Sequence, residues 1–284
     1  MNLFNIIEEI EKIDPEFNDR LNPRRAAIKN ITSFGSKVAL AAMPFALGTM
    51  IKRAYADTMA PSVVEVLNYA LTLEYLESSF YNAGVAASGL IPASDTAYIA
   101  DIQDDENKHV TFLSSAITAS GGTPVAKPTF DFTAGGGTGN GPFKGVFTAG
   151  NYTSIFLKVA LAFEDTGVRA YKGQAPNLLG NKDILTAALS IHAVEARHAS
   201  AIRSLLGVTP WITSTASKGN DTGVSLVDGN YDGEQNVSQG GVDVTTLKNA
   251  SGGSTSVAVA TAAFDEPLSM TQVLALLSGT FIVK

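Results

Sequence analysis

The chain has 284 residues, 45% of them hydrophobic and 17% charged, enough apolar material for one substantial core and a smaller second region. It contains no cysteine, which excludes disulfides, thiolate metal sites, iron–sulfur clusters and cysteine nucleophiles, so any metal must be held by oxygen and imidazole. A formal charge of −7, with no Lys/Arg cluster outside the N-terminal segment, argues against nucleic acid or an anionic membrane surface as partner.

Residues 1 to 22 are polar, Arg24 and Arg25 precede Ile28 and Lys29, and an apolar run extends from Val38 to Ile51 before Ala54-Tyr55-Ala56. A charged start, a modest apolar stretch and a small-x-small cleavage signature describe an export signal, and 14 residues are too few to span a bilayer comfortably. The paired arginines resemble a twin-arginine signal, although Pro23 and Ala27 depart from its usual pattern. The general secretory route, or an uncleaved anchor or ordinary helix, are the alternatives. Cleavage after Ala56 would leave a periplasmic or extracellular protein starting at Asp57. Residues 1 to 56 hold eight of the 20 Lys and Arg and six of the 27 Asp and Glu, so the remainder carries −9.

Four helices follow. Residues 62 to 83 place Val63, Leu67, Ala70, Leu71, Glu74, Ser78 and Tyr81 at three- and four-residue steps. The second helix, with Ser94 as N-cap, carries Ile99, Ile102, Glu106, His109, Leu113 and Ile117, and stops at Gly121-Gly122. The third runs from about Thr153 to Gln174 with Leu157, Ala160, Leu161, Glu164, Val168 and Tyr171 on one side, and ends before Pro176. The fourth, from about Lys182 to Leu206, carries Leu185, Ala188, Ile191, His192, Glu195, His198 and Ile202, and closes at Gly207.

Short connections make each successive pair an antiparallel hairpin, and the Gly-rich stretch from Gly121 to Asn151 is long enough to let helices two and three run parallel. The expected fold is an all-α four-helix bundle over residues 57 to 207, with a long crossover between its second and third helices. Residues 208 to 284 read as an irregular or short-stranded extension rich in Thr, Ser, Gly and Asn, ending in one short helix within Pro267 to Phe281.

Every bundle helix puts ionisable groups where packing calls for hydrocarbon, and an unpaired buried carboxylate costs several kcal/mol unless it is neutralised. The groups form two copies of one pattern: Glu74, Tyr81, Glu106 and His109, then Glu164, Tyr171, Glu195 and His198. Glutamate leads tyrosine by seven residues in both copies, and each Glu-x-x-His steps by three. One Glu-x-x-His is on most helices a solvated pair. Its duplication on two apolar faces describes a two-metal site, and iron(II) and manganese(II) suit carboxylate with some imidazole. Tyr81 and Tyr171 are either supports that hydrogen-bond a ligand carboxylate on a neighbouring helix or core tyrosines with satisfied hydroxyls. Glu77 reads as a solvent-facing residue, with a mobile seventh ligand as the alternative. His192, which corresponds to Gln103 in the other copy, reads as a supporting or core residue. Asp228, Asn230, Asp232 and Gly233 match the opening of a calcium loop, but Gln239 stands where a bidentate glutamate is needed, and an ordinary turn is the competing reading.

The segments EYLESSFY with ENKH, and EDTGVRAY with EARH, resemble the paired motifs of the ferritin-like superfamily. More narrowly, LNYALTLEYLESSFY and the terminal AFDEPLSMTQVLALL are similar to exported bacterial ferritin-like domain proteins related to plant desiccation-related proteins. The resemblance implies a ferritin-like bundle holding two iron or manganese ions, with Glu74 and Glu164 as terminal ligands, Glu106 and Glu195 as bridges, and His109 and His198 as one nitrogen ligand per metal. It implies an oxidoreductase acting on dioxygen or peroxide, as ferroxidase, peroxidase or catalase. The alternative is a non-enzymatic metal-sequestering or stress-protective structural protein. An oligomer is compatible with either.

Overall fold

Ser62 starts the first helix with a reciprocal cap: its hydroxyl accepts from the Glu65 amide at 3.2 Å, while the Glu65 carboxylate accepts from the Ser62 amide at 2.7 Å. A computed structural model describes residues 61–212 and 228–283 of the chain. The export-signal reading of residues 1 to 56 lies outside the described residues. The all-α bundle expected from the sequence is the fold: α1 (Val63–Ala86), α2 (Thr96–Ala119), α3 (Leu157–Gln174) and α4 (Lys182–Leu205).

The termini follow local chemistry. Helix α2 begins one residue later than expected, with Asp95 at the N-cap and the Ser94 hydroxyl turned onto the Asp95 carboxylate. At its other end Gly121 adopts φ +77°, which brings the Gly122 amide onto the Ile117 carbonyl at 2.9 Å and closes the last turn. A π-helical turn, Tyr152–Phe156, leads into α3, and the chain tightens into a 3-10 turn over Ala175–Leu178, where Pro176 cannot continue the helix. Asn181 caps α4 through the Ile184 amide.

Cross-helix contacts fix the directions. Ser78 meets Asn107 while Gln103 meets Asn82, so α1 and α2 are antiparallel. His198 meets Glu164 while His192 meets Val168, so α3 and α4 are antiparallel too. Tyr81 reaches Glu164 and Tyr171 reaches Glu74, so α1 opposes α3, and α2 runs parallel to α3 as the long crossover requires. The crossover is more than a spacer. It sets Phe132 and Phe147 against Phe80 at ring-centre distances of 5.5 and 5.4 Å, in a cluster with Phe156 and Phe163.

The C-terminal extension carries the short strands that the sequence allowed, with one helix more than expected. It contains a two-stranded hairpin, β2 (Ser238–Gln239) with β3 (Val242–Asp243), turned at Gly240 and Gly241, which both take positive φ. Two short helices follow, α5 (Val257–Ala262) and α6 (Met270–Leu277), where the sequence reading gave only the second. The chain then closes on the crossover: β4 (Ile282–Val283) pairs antiparallel with β1 (Thr129–Phe130). The segment before α6 lies directly on α3. The Leu268 amide donates to the Arg169 carbonyl at 3.1 Å, and a side chain at Gly173 would collide with the Leu268 carbonyl. Helix α3 is therefore buried on nearly every side. Among the described residues no helix is long and apolar enough to cross a membrane.

Candidate metal centre

The six residues singled out by the repeat converge in the middle of the bundle. Glu74, Glu106, Glu164 and Glu195 are wholly buried, His198 is buried and His109 nearly so. Their ligand-type atoms form two overlapping groups, Glu74, Glu106, His109 and Glu195 in one, and Glu106, Glu164, Glu195 and His198 in the other. Glu106 and Glu195 belong to both, the pattern expected of bridging carboxylates.

The geometry repeats from half to half. Tyr171 donates to Oε1 of Glu74, whose Oε2 lies 3.1 Å from His109 Nδ1. Tyr81 donates to Oε1 of Glu164, whose Oε2 lies 3.2 Å from His198 Nδ1. In each half one glutamate oxygen is tied to a tyrosine of a different helix and the other is aimed inward. Both tyrosines are thus buried core residues and supports of the cluster at once, which merges the two sequence readings. Burial first, and the adjacent carboxylates second, hold both phenols well above their ordinary range, so they act as donors.

Two features fit a bound cation pair. Glu106 Oε1 and both carboxylate oxygens of Glu195 are buried without a hydrogen-bond partner; Glu106 Oε1 lies 2.9 Å from His198 Nδ1 but not in hydrogen-bonding geometry. Unpaired carboxylate oxygens cost free energy that a cation recovers. The inward nitrogens sit 2.9 to 3.5 Å from their carboxylate oxygens, the longest being His109 to Glu195. Neighbouring ligand atoms on one octahedral ion, each bonded at about 2.1 Å, stand about 3.0 Å apart. His198 Nε2 faces Asp105 Oδ2 at 3.4 Å, a contact that would hold the proton on that nitrogen and leave Nδ1 to ligate once a cation displaces its own proton. Asp105 was not foreseen, since with Asp104 it looks like one of two surface acids ahead of Glu106.

Metal-free electrostatics express the same crowding. Burial raises Glu195 well above the carboxylate range and takes Glu106 to about 8, helped by the charges around them. Burial alone would depress the histidines, but Glu106 and Glu74 push His109 up to about 10, and Glu164 and Glu106 push His198 up to about 11. Burial would raise Glu74, but the hydrogen bond and charge of His109, with hydrogen bonds from Glu106 and Tyr171, together draw it below its ordinary value. In the absence of a cation the site holds itself together with protons.

Glu77 corrects the sequence reading. It is not solvent-facing: it is 3% exposed, its Oε2 has no partner, and burial with the charges of Glu106, Glu74 and Glu164 pushes its carboxyl well above the usual range. It is a fifth carboxyl at the cluster, and the stripe Ala70, Glu74, Glu77, Tyr81 was the available signal. His192 stands apart, with its Nδ1–H donating to the Val168 carbonyl at 2.9 Å and burial keeping it neutral.

Asn230 and Asp232 of the calcium-loop pattern lie against α3. The carbonyl oxygens of Asn230 and Asp232 accept from the Arg169 guanidinium, and the Asn230 side chain accepts from Thr166 at 2.9 Å. Asp228 and Asp232 belong to neither convergent group. The loop is a seat for an arginine. Arg169 also meets Glu234 at 3.0 Å, and Arg203 makes a two-pronged pair with Asp165 at 2.9 and 2.6 Å, to which Tyr231 adds a bond at 2.8 Å. Arg169 and the Tyr231 hydroxyl fasten the extension to α3 and Arg203 ties α4 to the same helix, contacts that the sequence reading missed.

A family model described as a ferritin-like domain matches residues 62–208, just over half of the 284-residue chain. Comparison with curated proteins finds no match.

Proposed function

This chain belongs to the ferritin-like domain family, and we propose that its buried cluster holds two iron or manganese ions and reacts with dioxygen or peroxide. One observation carries the reading: two groups of converging ligand atoms share Glu106 and Glu195, whose inward oxygens include three without a hydrogen-bond partner. Carboxylate with imidazole suits iron and manganese, and four carboxylates balance two divalent charges. When bound, such a pair supplies two adjacent redox-active centres that can share the electron change of an oxidant.

The chain's own groups do the positioning. Tyr171 and Tyr81 each hold one oxygen of Glu74 and Glu164, which leaves the second oxygen of each directed at the cluster. Asp105 orients His198. Glu77 keeps a proton on a buried carboxyl at the edge of the cluster. The apolar helix faces around these groups exclude bulk water, which strengthens every charge interaction inside. The N-terminal segment fits export, so we place this chemistry outside the cytoplasm; a mature protein beginning at Asp57 is the expected result of N-terminal sequencing.

Metal-loaded protein is expected to consume hydrogen peroxide or dioxygen, and Glu106→Ala or Glu195→Ala to abolish turnover while helical content is kept. Two bound ions with no turnover of either oxidant would instead make this a sequestering protein.

A further inference from the structure

The two halves of the bundle are alike at the cluster and unlike beside it. Positions in α1 correspond to positions 90 later in α3, as Glu74 to Glu164 and Tyr81 to Tyr171, and positions in α2 to positions 89 later in α4, as Glu106 to Glu195 and His109 to His198. On the Tyr81 side the layer next to the cluster is filled by Phe80, Phe156, Phe163 and Ile99, none more than 2% exposed. Phe80 stacks on Phe156 at 4.8 Å and meets Phe163 edge-on at 5.2 Å. Phe156 presses so closely on Gly84 that a Cβ there would lie 2.4 Å from its ring.

The same correspondence assigns their counterparts on the Tyr171 side: Ala170 for Phe80, Val66 for Phe156, Leu73 for Phe163 and Ala188 for Ile99. All four are smaller, and all four line one cavity. Its wall continues through Leu113, one turn beyond His109, Ile191, one turn before Glu195, and Tyr171, whose hydroxyl is committed to Glu74. Tyr69 and Phe112, which stand where the other half has Val159 and Ala201, take back part of the volume that these four smaller side chains release, and a cavity remains between them.

Size and chemistry limit the occupant. The cavity gives about 20 Å³ to the centre of a water-sized sphere, where one water needs roughly 10–15 Å³ by the same measure. That admits a diatomic molecule and not an organic substrate. The wall is mostly hydrocarbon and aromatic; of its polar groups the Tyr171 hydroxyl is committed to Glu74 and the Gln174 side-chain carbonyl accepts from Asn177, so a water or a peroxide would find little beyond the Tyr69 hydroxyl and forfeit most of its hydrogen bonds on entering, whereas an apolar guest loses none.

We propose that this cavity is a binding pocket for dioxygen, placed at the Glu74–His109 side of the cluster, so that the two halves of the site are inequivalent toward the oxidant and dioxygen is favoured over peroxide. The delivery role rests on the reading of the cluster as a metal centre; the pocket itself does not.

Crystals of the full chain pressurised with xenon test it, since xenon reports small dry apolar voids. The expected result is one xenon peak walled by Val66, Ala170, Ala188 and Ile191 in the wild type, with or without metal. The peak is lost in Ala188→Ile, which installs the side chain of the filled half, and is weakened in the milder Ala188→Val should the first variant fail to fold. In metal-loaded protein the ratio of dioxygen to peroxide consumption rates falls in the same variants. A wild type that takes up no xenon there, a variant that keeps the peak, or a rate ratio that does not move overturns the proposal. A xenon-binding protein that takes up no metal overturns the delivery role by removing the centre it serves, and leaves the pocket standing.

Discussion

Gly167 sits on α3 one turn after Glu164, where an added Cβ would lie 2.6 Å from Glu195 Oε2 and 3.1 Å from Glu195 Cδ. Ordinary contact begins at 3.4 Å, so in Gly167→Ala the carboxylate oxygen must retreat by about 0.8 Å. Metal–ligand distances tolerate about 0.2 Å, and Glu195 belongs to both converging groups. Disturbing even the supports of a metal ligand typically lowers affinity about 10- to 100-fold, roughly 1.4 to 2.8 kcal/mol, and this change displaces a ligand itself. Alanine meanwhile gains roughly 0.8–1.0 kcal/mol over glycine in helix propensity. The variant should therefore melt at or near the wild-type temperature without metal, yet show a much smaller rise on adding iron(II) or manganese(II), because ligand-induced stabilisation follows the ratio of free metal to Kd. Gly180→Ala, at a position with nothing within 4 Å, is the control and should keep the full rise. Anaerobic thermal melts across a metal titration make the measurement. If Gly167→Ala binds two ions with unchanged affinity, the Glu195 carboxylate is not at the centre of the site and the reasoning fails.

Removing one tyrosine hydroxyl strips a buried carboxylate of its donor, so Tyr81→Phe and Tyr171→Phe should each cost about 1–3 kcal/mol in urea denaturation of the metal-free protein; a neutral result at both would reduce the hydroxyls to bystanders. The pH dependence has a definite sign. Glu106, raised to about 8 in the fold, binds more protons folded than unfolded above pH about 4.5, and His109 and His198, raised to about 10 and about 11, do so above about 6.5. Metal-free stability contributed by these groups is thus full below their unfolded values and declines as pH rises through the folded ones, while metal affinity climbs as protons leave. Calorimetric melts from pH 5 to 9, with and without manganese(II), should move in opposite directions. Arg169→Met leaves Glu234 buried without its cation and should cost about 3–5 kcal/mol, seen as a lower urea midpoint and faster proteolysis of the C-terminal extension.

Much of the site was legible because its constraint is local and repeated. A helix must return a ligand to the same face, so the matched intervals from Glu74 to Tyr81 and from Glu164 to Tyr171 carried both the helix period and the chemistry. The direction of each helix followed from connection length, and the structure bears out the parallel α2 and α3. Glu77 was misjudged because one carboxyl at the right period looks like any surface glutamate, and only its neighbours across the bundle make it a fifth buried acid. Helix α3 hid another signal: Asp165 and Arg169 look like a solvated polar face until the extension, more than 60 residues away, covers them with Asn230, Tyr231 and Glu234. Pairing of β1 with β4, from Thr129 to Val283, is a long-range choice that no local pattern records.

Anomalous diffraction from crystals of the full chain loaded with manganese(II) tests the central claim most directly. Two peaks are expected inside the bundle, one among Glu74, His109, Glu106 and Glu195 and the other among Glu164, His198, Glu106 and Glu195. Ions bound only at the surface, or a saturated protein with no density between Glu106 and Glu195, would contradict it.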